Sequence, residues 1–244
     1  MDWREFCRQW QSEADASGFA TEVLIEVDGF PVLASSKGGS GLPCIYLSSG
    51  IHGDEPAGPW ALLGLLRDGF FDDRYRWLIC PALNPVGLDH GTRENGEGID
   101  LNRDYCQCQG SEVCAHIDWL KQQDVPRLFL SLHEDWESSG FYFYEINLGV
   151  GGPRNEEILR AASSTFPVEP ELVIDDHEVT GPGWIFHSEH PDLPEGWPEA
   201  IYLAKMGCPL SLTFETPSSG LFESRVACHQ AVVKESILHL HRSV

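Results

Sequence analysis

The stretch PCIYLSSGIHGDEPAGPWALLGLLRDG, residues 43–69, carries the change of pattern that sets the fold. Its first seven residues form a short apolar run suited to a buried strand. The segment from Pro56 reads as a helix, with prolines near its start and Gly69 past its end. Between the two stand His52, Asp54 and Glu55. In open α/β sheets ligands bind beyond the carboxyl ends of the strands, so a histidine and a glutamate at such an exit mark a candidate site. Gly53 is expected to accept the backbone angles of the turn. Pro56, at an early helical position, would direct Glu55 back toward the strand end.

Outward from this unit, residues 2–16 read as a surface helix and residues 21–35 as two strands joined through Asp28-Gly29, a hairpin signal. RYRWLICPAL (74–83) is the next strand, followed by a long polar loop over 84–109. Ser111 is expected to cap a helix running to about Gln123. RLFLSLH (127–133) and GFYFYEINL (140–148) give further strands, and residues 152–166 a helix. The segment 167–198, rich in Pro, Gly and His, reads as a loop or lid. A short helix near 198–205, the strand PLSLTFE (209–215) and an amphipathic helix over about 224–241 complete the chain. Strands alternating with helices after an initial hairpin predict an α/β three-layer sandwich with a mixed, largely parallel sheet flanked by helices. One domain over 1–244 is expected, with its N-terminal helix and hairpin at about 1–36.

Composition narrows the function classes. With 42% hydrophobic residues, 8 Trp, 12 Phe and 6 Tyr, the 244-residue chain has the makings of a packed globular core. Its 38 acidic against 16 basic residues give a formal charge of -22, which opposes non-specific approach to nucleic acid or an anionic membrane, so neither is expected as a partner. The N-terminus lacks the apolar core of a signal peptide and no stretch reaches membrane-spanning length, which predicts a cytoplasmic protein. Cys44 and Cys80 lie in apolar runs, and mostly free thiols are expected.

The chemically suggestive residues fall where strands end. His52 and Glu55 follow the first buried strand, His133 follows RLFLSL, and Glu215 ends PLSLTF. Two imidazoles and one carboxylate make a three-ligand set for zinc with a fourth position left for water. A His and a Glu in a surface turn are ordinarily solvated side chains, and Glu215 could serve only as a hydrogen-bonding group. A carboxylate at the end of an apolar strand nevertheless needs compensation for lost hydration. In SLHEDWE, His133 and Glu134 are both available as ligands. The loop NPVGLDHGTRENGEGIDLNRDY (84–105) adds Arg93, Asn102 and Arg103, and a guanidinium fork can grip a carboxylate through two parallel hydrogen bonds. Surface ion pairing is the alternative role for these arginines.

Together HGDE, NPVG, the arginine of GTRENG, DLNRDY, the histidine of SLHED and the glutamate of TFETPS resemble, in order, the motifs of the zinc carboxypeptidase (M14) family, over residues 48–218. The resemblance implies one zinc ion per chain, held by His52, Glu55 and His133. It implies that Glu215 takes a proton from the attacking water and passes it to the leaving amine, and that Arg93 stabilises the oxyanion. Asn102 and Arg103 would hold the substrate's free carboxylate, and Asp100 would orient the first zinc histidine. The large digestive members carry a mobile tyrosine ahead of the catalytic glutamate. Here Tyr202 lies in the helix just before the Glu215 strand, while Trp184 and His187 occupy the flap region. The chain looks more like compact bacterial members, including murein peptide amidases, and the related succinylglutamate desuccinylase and aspartoacylase group.

The resulting expectation is a metallocarboxypeptidase that cleaves short peptides with a free carboxylate, cell-wall peptides among them. An amidohydrolase acting on N-acyl amino acids with the same zinc chemistry is the alternative enzyme, and a non-catalytic peptide-binding relative the alternative outside catalysis. The cluster CQCQGSEVCAH, with Cys106, Cys108, Cys114 and His116, could also be read as a structural zinc site, but it lacks the paired Cys-x-x-Cys form.

Overall fold

The computed structural model describes residues 2–149, 151 and 155–240. Its core is an eight-stranded mixed sheet. In chain order the strands are β1 (Ala20–Val27), β2 (Phe30–Lys37), β3 (Cys44–Ser49), β4 (Arg76–Cys80), β5 (Leu128–Asp135), β6 (Tyr142–Asn147), β7 (Val173–Ile174), β8 (His177–Glu178), β9 (Trp184–Phe186) and β10 (Leu210–Pro217). The large sheet runs β1-β2-β4-β3-β5-β10-β6-β9, and β7 and β8 pair separately as a small hairpin. The central strands β4, β3, β5 and β10 are parallel, whereas β1, β2 and β6 join antiparallel to their inward neighbours.

Burial on both faces explains the near-continuous apolar runs of the central strands. Leu128, Leu130 and Leu132 of β5 point into one core with Ile45 and Leu47 of β3. Phe129 and Tyr46 point into the other. The first core is covered by α1 (Trp3–Ala16), α2 (Ala57–Arg67), α5 (Asn155–Ala162) and α7 (Phe222–Leu240). The second is covered by α4 (Ser111–Leu120) and α6 (Glu199–Lys205). Fully burying one such aliphatic side chain contributes about 1.5–3 kcal/mol, so two cores hold the sheet in three layers. Helix α1 shows the periodic logic: Asp2 caps it by accepting from the Glu5 N–H at 3.0 Å, and Trp3, Phe6, Cys7, Trp10 and Ala14 form its buried stripe.

The hairpin turn falls at Asp28-Gly29, both with positive φ (51° and 75°). Several expectations shift. The loop 84–109 contains α3 (Pro85–His90), capped by the Asn84 side chain, and a 3₁₀ turn at Leu101–Arg103. Ser111 is the first residue of α4 rather than its cap, with Gly110 in the cap position, and the helix stops at Leu120. The lid segment contains β7, β8 and β9. The helix expected over 152–166 is seen as α5, while 152–154 and the last expected helical residue, His241, lie outside the described residues. No helix among the described residues is long and apolar enough to cross a membrane.

Candidate metal centre

The parallel strands deliver their carboxyl ends side by side, and the candidate residues gather there. His52 and Glu55 lie in the connection from β3 to α2. His133 is inside β5, which continues to Asp135, and Glu215 is inside β10, which continues to Pro217. The two strands therefore end later than their apolar runs suggest. In the β5–β10 register Glu215 sits directly opposite His133.

The Glu55 carboxylate bridges the two histidines: Oε1 lies 2.6 Å from His52 Nδ1 and Oε2 lies 2.9 Å from His133 Nδ1. All three side chains are buried, and their ligand atoms fall within 4.8 Å of one another. His52 Nε2 faces Asp100 Oδ1 at 3.2 Å. Asp100 Oδ1 also accepts the backbone N–H of Asn102 at 2.9 Å, and Oδ2 accepts Arg93 Nε at 3.1 Å. Arg93 also stands 3.7 Å from Glu55. Asp100 thus contacts both His52 and Arg93 at the edge of the cluster.

The electrostatics fit a cation in this corner. Burial opposes ionisation of Glu55, yet His52 and His133 hold its carboxyl far below the usual range. Burial also opposes protonation of His52, but Glu55 and Asp100 outweigh it and raise its pKa to about 9. Burial keeps His133 below its ordinary value despite Glu55. One buried carboxylate with two imidazole nitrogens aimed at it is a donor set that could hold a divalent metal ion. Glu215 differs. Burial, followed by repulsion from Glu55, Asp135 and Asp175, pushes its pKa well above that of a free carboxyl.

Glu134 is turned away from this set. Its Oε1 accepts the Ala57 N–H, the first of helix α2, at 2.6 Å, and its Oε2 pairs with Arg225 of α7. Between the two possible ligands in SLHEDWE, only His133 joins the cluster. Gly53 also has a role other than the one expected. Its φ is not positive; instead a Cβ placed there would stand 2.0 Å from the Gly87 carbonyl carbon. The corner thus packs backbone against backbone on α3, and Gly53 N donates to Arg93 O at 3.3 Å.

Asn102 is buried and Arg103 exposed. Arg103 and Asp100 border an open cleft of about 550 Å³ that Leu193, Glu195 and Gly196 also line. None of His52, Glu55 and His133 lines the cleft, but Asp100, which contacts His52, does. Of the flap candidates, Trp184 is fixed in β9, its Nε1 donating to Glu145 at 3.0 Å, and His187 follows at the strand's end. Tyr202 packs against Tyr105 in α6. The cysteine cluster is dispersed: Cys108 is disulfide-bonded to Cys114, Cys106 is exposed, and buried His116 lies 2.8 Å from both the Tyr46 and Tyr105 hydroxyls.

Sequence reasoning missed Glu199. This fully buried carboxylate accepts from Tyr46 and Ser48, each at 2.7 Å, while its backbone N–H donates to Asn102 Oδ1 at 3.0 Å. Its signal, an acidic residue after Pro198 at a helix start, is indistinguishable locally from an ordinary first-turn glutamate.

Comparison with known proteins agrees with this geometry. Residues 42–141 match the succinylglutamate desuccinylase/aspartoacylase catalytic domain. Carboxypeptidase 2 of Trichophyton tonsurans is 26% identical over 140 residues, covering 54% of this chain and 24% of that protein, so the chain spans about a quarter of the length of the curated relatives it matches. A proposed metallopeptidase from Shewanella denitrificans superposes with a TM-score of 0.84 at 28% identity, covering 96% of this chain and 88% of that one. A metallo-carboxypeptidase from Burkholderia cenocepacia shares the fold with a TM-score of 0.71 at 19% identity, covering 98% and 69%. In fold the chain is similar to metallo-carboxypeptidases, and over residues 42–141 it is similar to the succinylglutamate desuccinylase/aspartoacylase catalytic domain.

Proposed function

We propose that the protein is a zinc-dependent carboxypeptidase that hydrolyses the amide bond next to the free carboxylate of short peptides, cell-wall peptides among them. The observation that carries this reading is the convergence of His52 Nδ1, the Glu55 carboxylate and His133 Nδ1 within 4.8 Å, with Glu215 paired in register beside them. These three residues would hold one zinc ion per chain. When bound, zinc acts as a Lewis acid that lowers the pKa of water to about 7 and polarises a carbonyl.

The chain's own residues do the rest. Arg103, exposed at the cleft beside Asp100, takes the substrate carboxylate together with the Asn102 side-chain amide. Arg93, preorganised by Asp100, faces the carbonyl oxygen and interacts most strongly as negative charge develops there. Glu215 receives a proton from the attacking water and returns it to the leaving nitrogen. Its raised proton affinity suits the return of the proton to the leaving nitrogen, while a cation held at Glu55 would favour the ionised form that first accepts it.

The desuccinylase/aspartoacylase match over residues 42–141 favours one second reading, hydrolysis of N-acyl amino acids at the same centre. Both readings use the carboxylate anchor and differ on the acyl side. Metal content by elemental analysis, paired with amino-acid release from di- and tripeptides and from acetyl- and succinyl-amino acids before and after chelation, separates them. Chelator-sensitive release from peptides is expected. Release from acyl-amino acids alone would select the second reading, and metal without any release would leave a non-catalytic binder.

A further inference from the structure

A second group of side chains that could hold a metal lies in the 167–198 segment and shares no residue with the His52–Glu55–His133 corner. His177 begins β8, His187 follows β9, and Asp192 stands in the next loop. Their ligand atoms lie within 4.8 Å of one another. His177 Nε2 is 3.4 Å from Asp192 Oδ2, and His187 Nε2 is 3.4 Å from both Asp192 oxygens. These separations are long for N–H···O hydrogen bonds, which centre near 2.9–3.0 Å. They match the ligand–ligand edge of about 3.3–3.6 Å that bonds of about 2.0–2.2 Å make in a tetrahedron.

The surroundings prepare the imidazoles for this. His187 Nδ1 lies 2.7 Å from the Ser188 carbonyl oxygen, so Nδ1 carries the proton and Nε2 presents its lone pair to Asp192. The His187 backbone N–H is tied to Glu145 O of β6 at 2.8 Å. His177 leaves a tight two-residue turn in which Asp175 and Asp176 both have positive φ (48° and 64°). The two rings meet edge to face with centroids 5.0 Å apart. Tyr144 packs on both, at 5.8 and 6.4 Å, while its hydroxyl donates to Asp175 at 2.9 Å. Residues 161–204 contain no lysine or arginine, so no basic side chain of the segment itself opposes a bound cation.

We propose that His177, His187 and Asp192 form a second site for a zinc-type divalent ion, one that fastens the β7–β8 hairpin to the 187–192 loop. Two imidazole nitrogens and a carboxylate select zinc-class metals over magnesium or calcium, which prefer all-oxygen sets. The site is built on β6: Tyr144 pairs with Thr213 and Tyr142 with Glu215. An ion there would stiffen the wall beside the proposed catalytic carboxylate. The inference does not depend on the proposed function.

The test is zinc stoichiometry by equilibrium dialysis and elemental analysis on the full chain at neutral pH, repeated with Co²⁺ to read the tetrahedral absorption of each site. The unmodified protein is expected to bind two equivalents. His177→Ala/His187→Ala is expected to bind one, and His52→Ala/His133→Ala to keep one. Asp192 is largely exposed, so Asp192→Asn tests the site without burdening the fold, and zinc affinity of the second equivalent should fall at least about tenfold. In the His52→Ala/His133→Ala background, added zinc should still raise Tm and slow proteolysis of the 172–193 segment. Stoichiometry and Tm response unaltered by His177→Ala/His187→Ala and Asp192→Asn would overturn the proposal. A single equivalent that survives His52→Ala/His133→Ala and is lost with His177→Ala/His187→Ala would support it while removing the metal from the proposed catalytic corner.

Discussion

The backbone N–H of Glu199 donates to Asn102 Oδ1 at 3.0 Å, so the first turn of α6 holds the amide expected to meet the substrate carboxylate. The Glu199 side chain is itself buried and shifted. Burial, partly offset by hydrogen bonds from Ser48 and Tyr46, raises its pKa from 4.5 to about 7. A carboxyl that holds its proton more tightly when folded adds stability below 4.5, and that contribution falls away as pH rises through about 7. The difference is on the order of 3 kcal/mol. Chemical unfolding of the wild type and Glu199→Gln across this range should show a stability decline in the wild type that flattens in the variant. Identical pH profiles would mean that Glu199 is ionised throughout.

Asp100 accepts from Arg93 and Asn102 and faces His52. Replacing it with Asn keeps the shape but removes the charge that fixes His52, and zinc affinity should drop about 10- to 100-fold. Competition with a fluorescent chelator measures this directly; unchanged affinity would show that His52 needs no orienting partner.

Glu215→Gln should retain zinc while losing about 100- to 10,000-fold in hydrolysis rate, because the amide cannot carry the proton between water and leaving nitrogen. Turnover within a few fold of wild type would remove Glu215 from its role.

For Arg103→Ala, loss of a charge-assisted contact worth about 1.5–3 kcal/mol predicts a rise of about 10- to 150-fold in KM for substrates with a free carboxylate. Amidated peptides should be poor substrates of the wild type and no worse with the variant. Equal cleavage of free and amidated peptides by the wild type would sink the anchor assignment.

Glu134 separates structural from metal-binding roles within one tripeptide. Glu134→Gln leaves a single acceptor oxygen for the Ala57 N–H and Arg225, weakening one of the two contacts at a cost of about 1–3 kcal/mol. Metal content should stay unchanged, whereas His133→Ala should lose the metal and suffer less in unfolding experiments.

Much of the sheet was legible because strands buried on both faces read as unbroken apolar runs bounded by turn residues, and the strand-to-helix passage at 43–69 stands out against them. What escaped the sequence has physical causes. Helix α3 spans only six residues, too few for periodicity to register, and Asn84 before Pro85 was its single signal. Strand β5 runs past its apolar stretch because Glu134 and Asp135 find partners far away in sequence, in α2, α7 and Tyr142, and in β10 the buried Thr216 hydroxyl lies 3.2 Å from His229 Nε2 of α7. His133 could not be separated from Glu134 for the same reason: Arg225, which claims Glu134, lies about 90 residues downstream. The lid strands have two or three residues each, below any pattern's reach.

The contact between Gly53 and Gly87 couples two short motifs whose chemistry is otherwise unrelated. A randomised library over HGDE and NPVG, sorted only for folded protein, would tolerate exchange at His52, yet should return glycine at position 53, where any side chain meets the facing backbone. Part of what looks like a catalytic signature in this chain is therefore a clearance rule, written in the distance between two peptide planes.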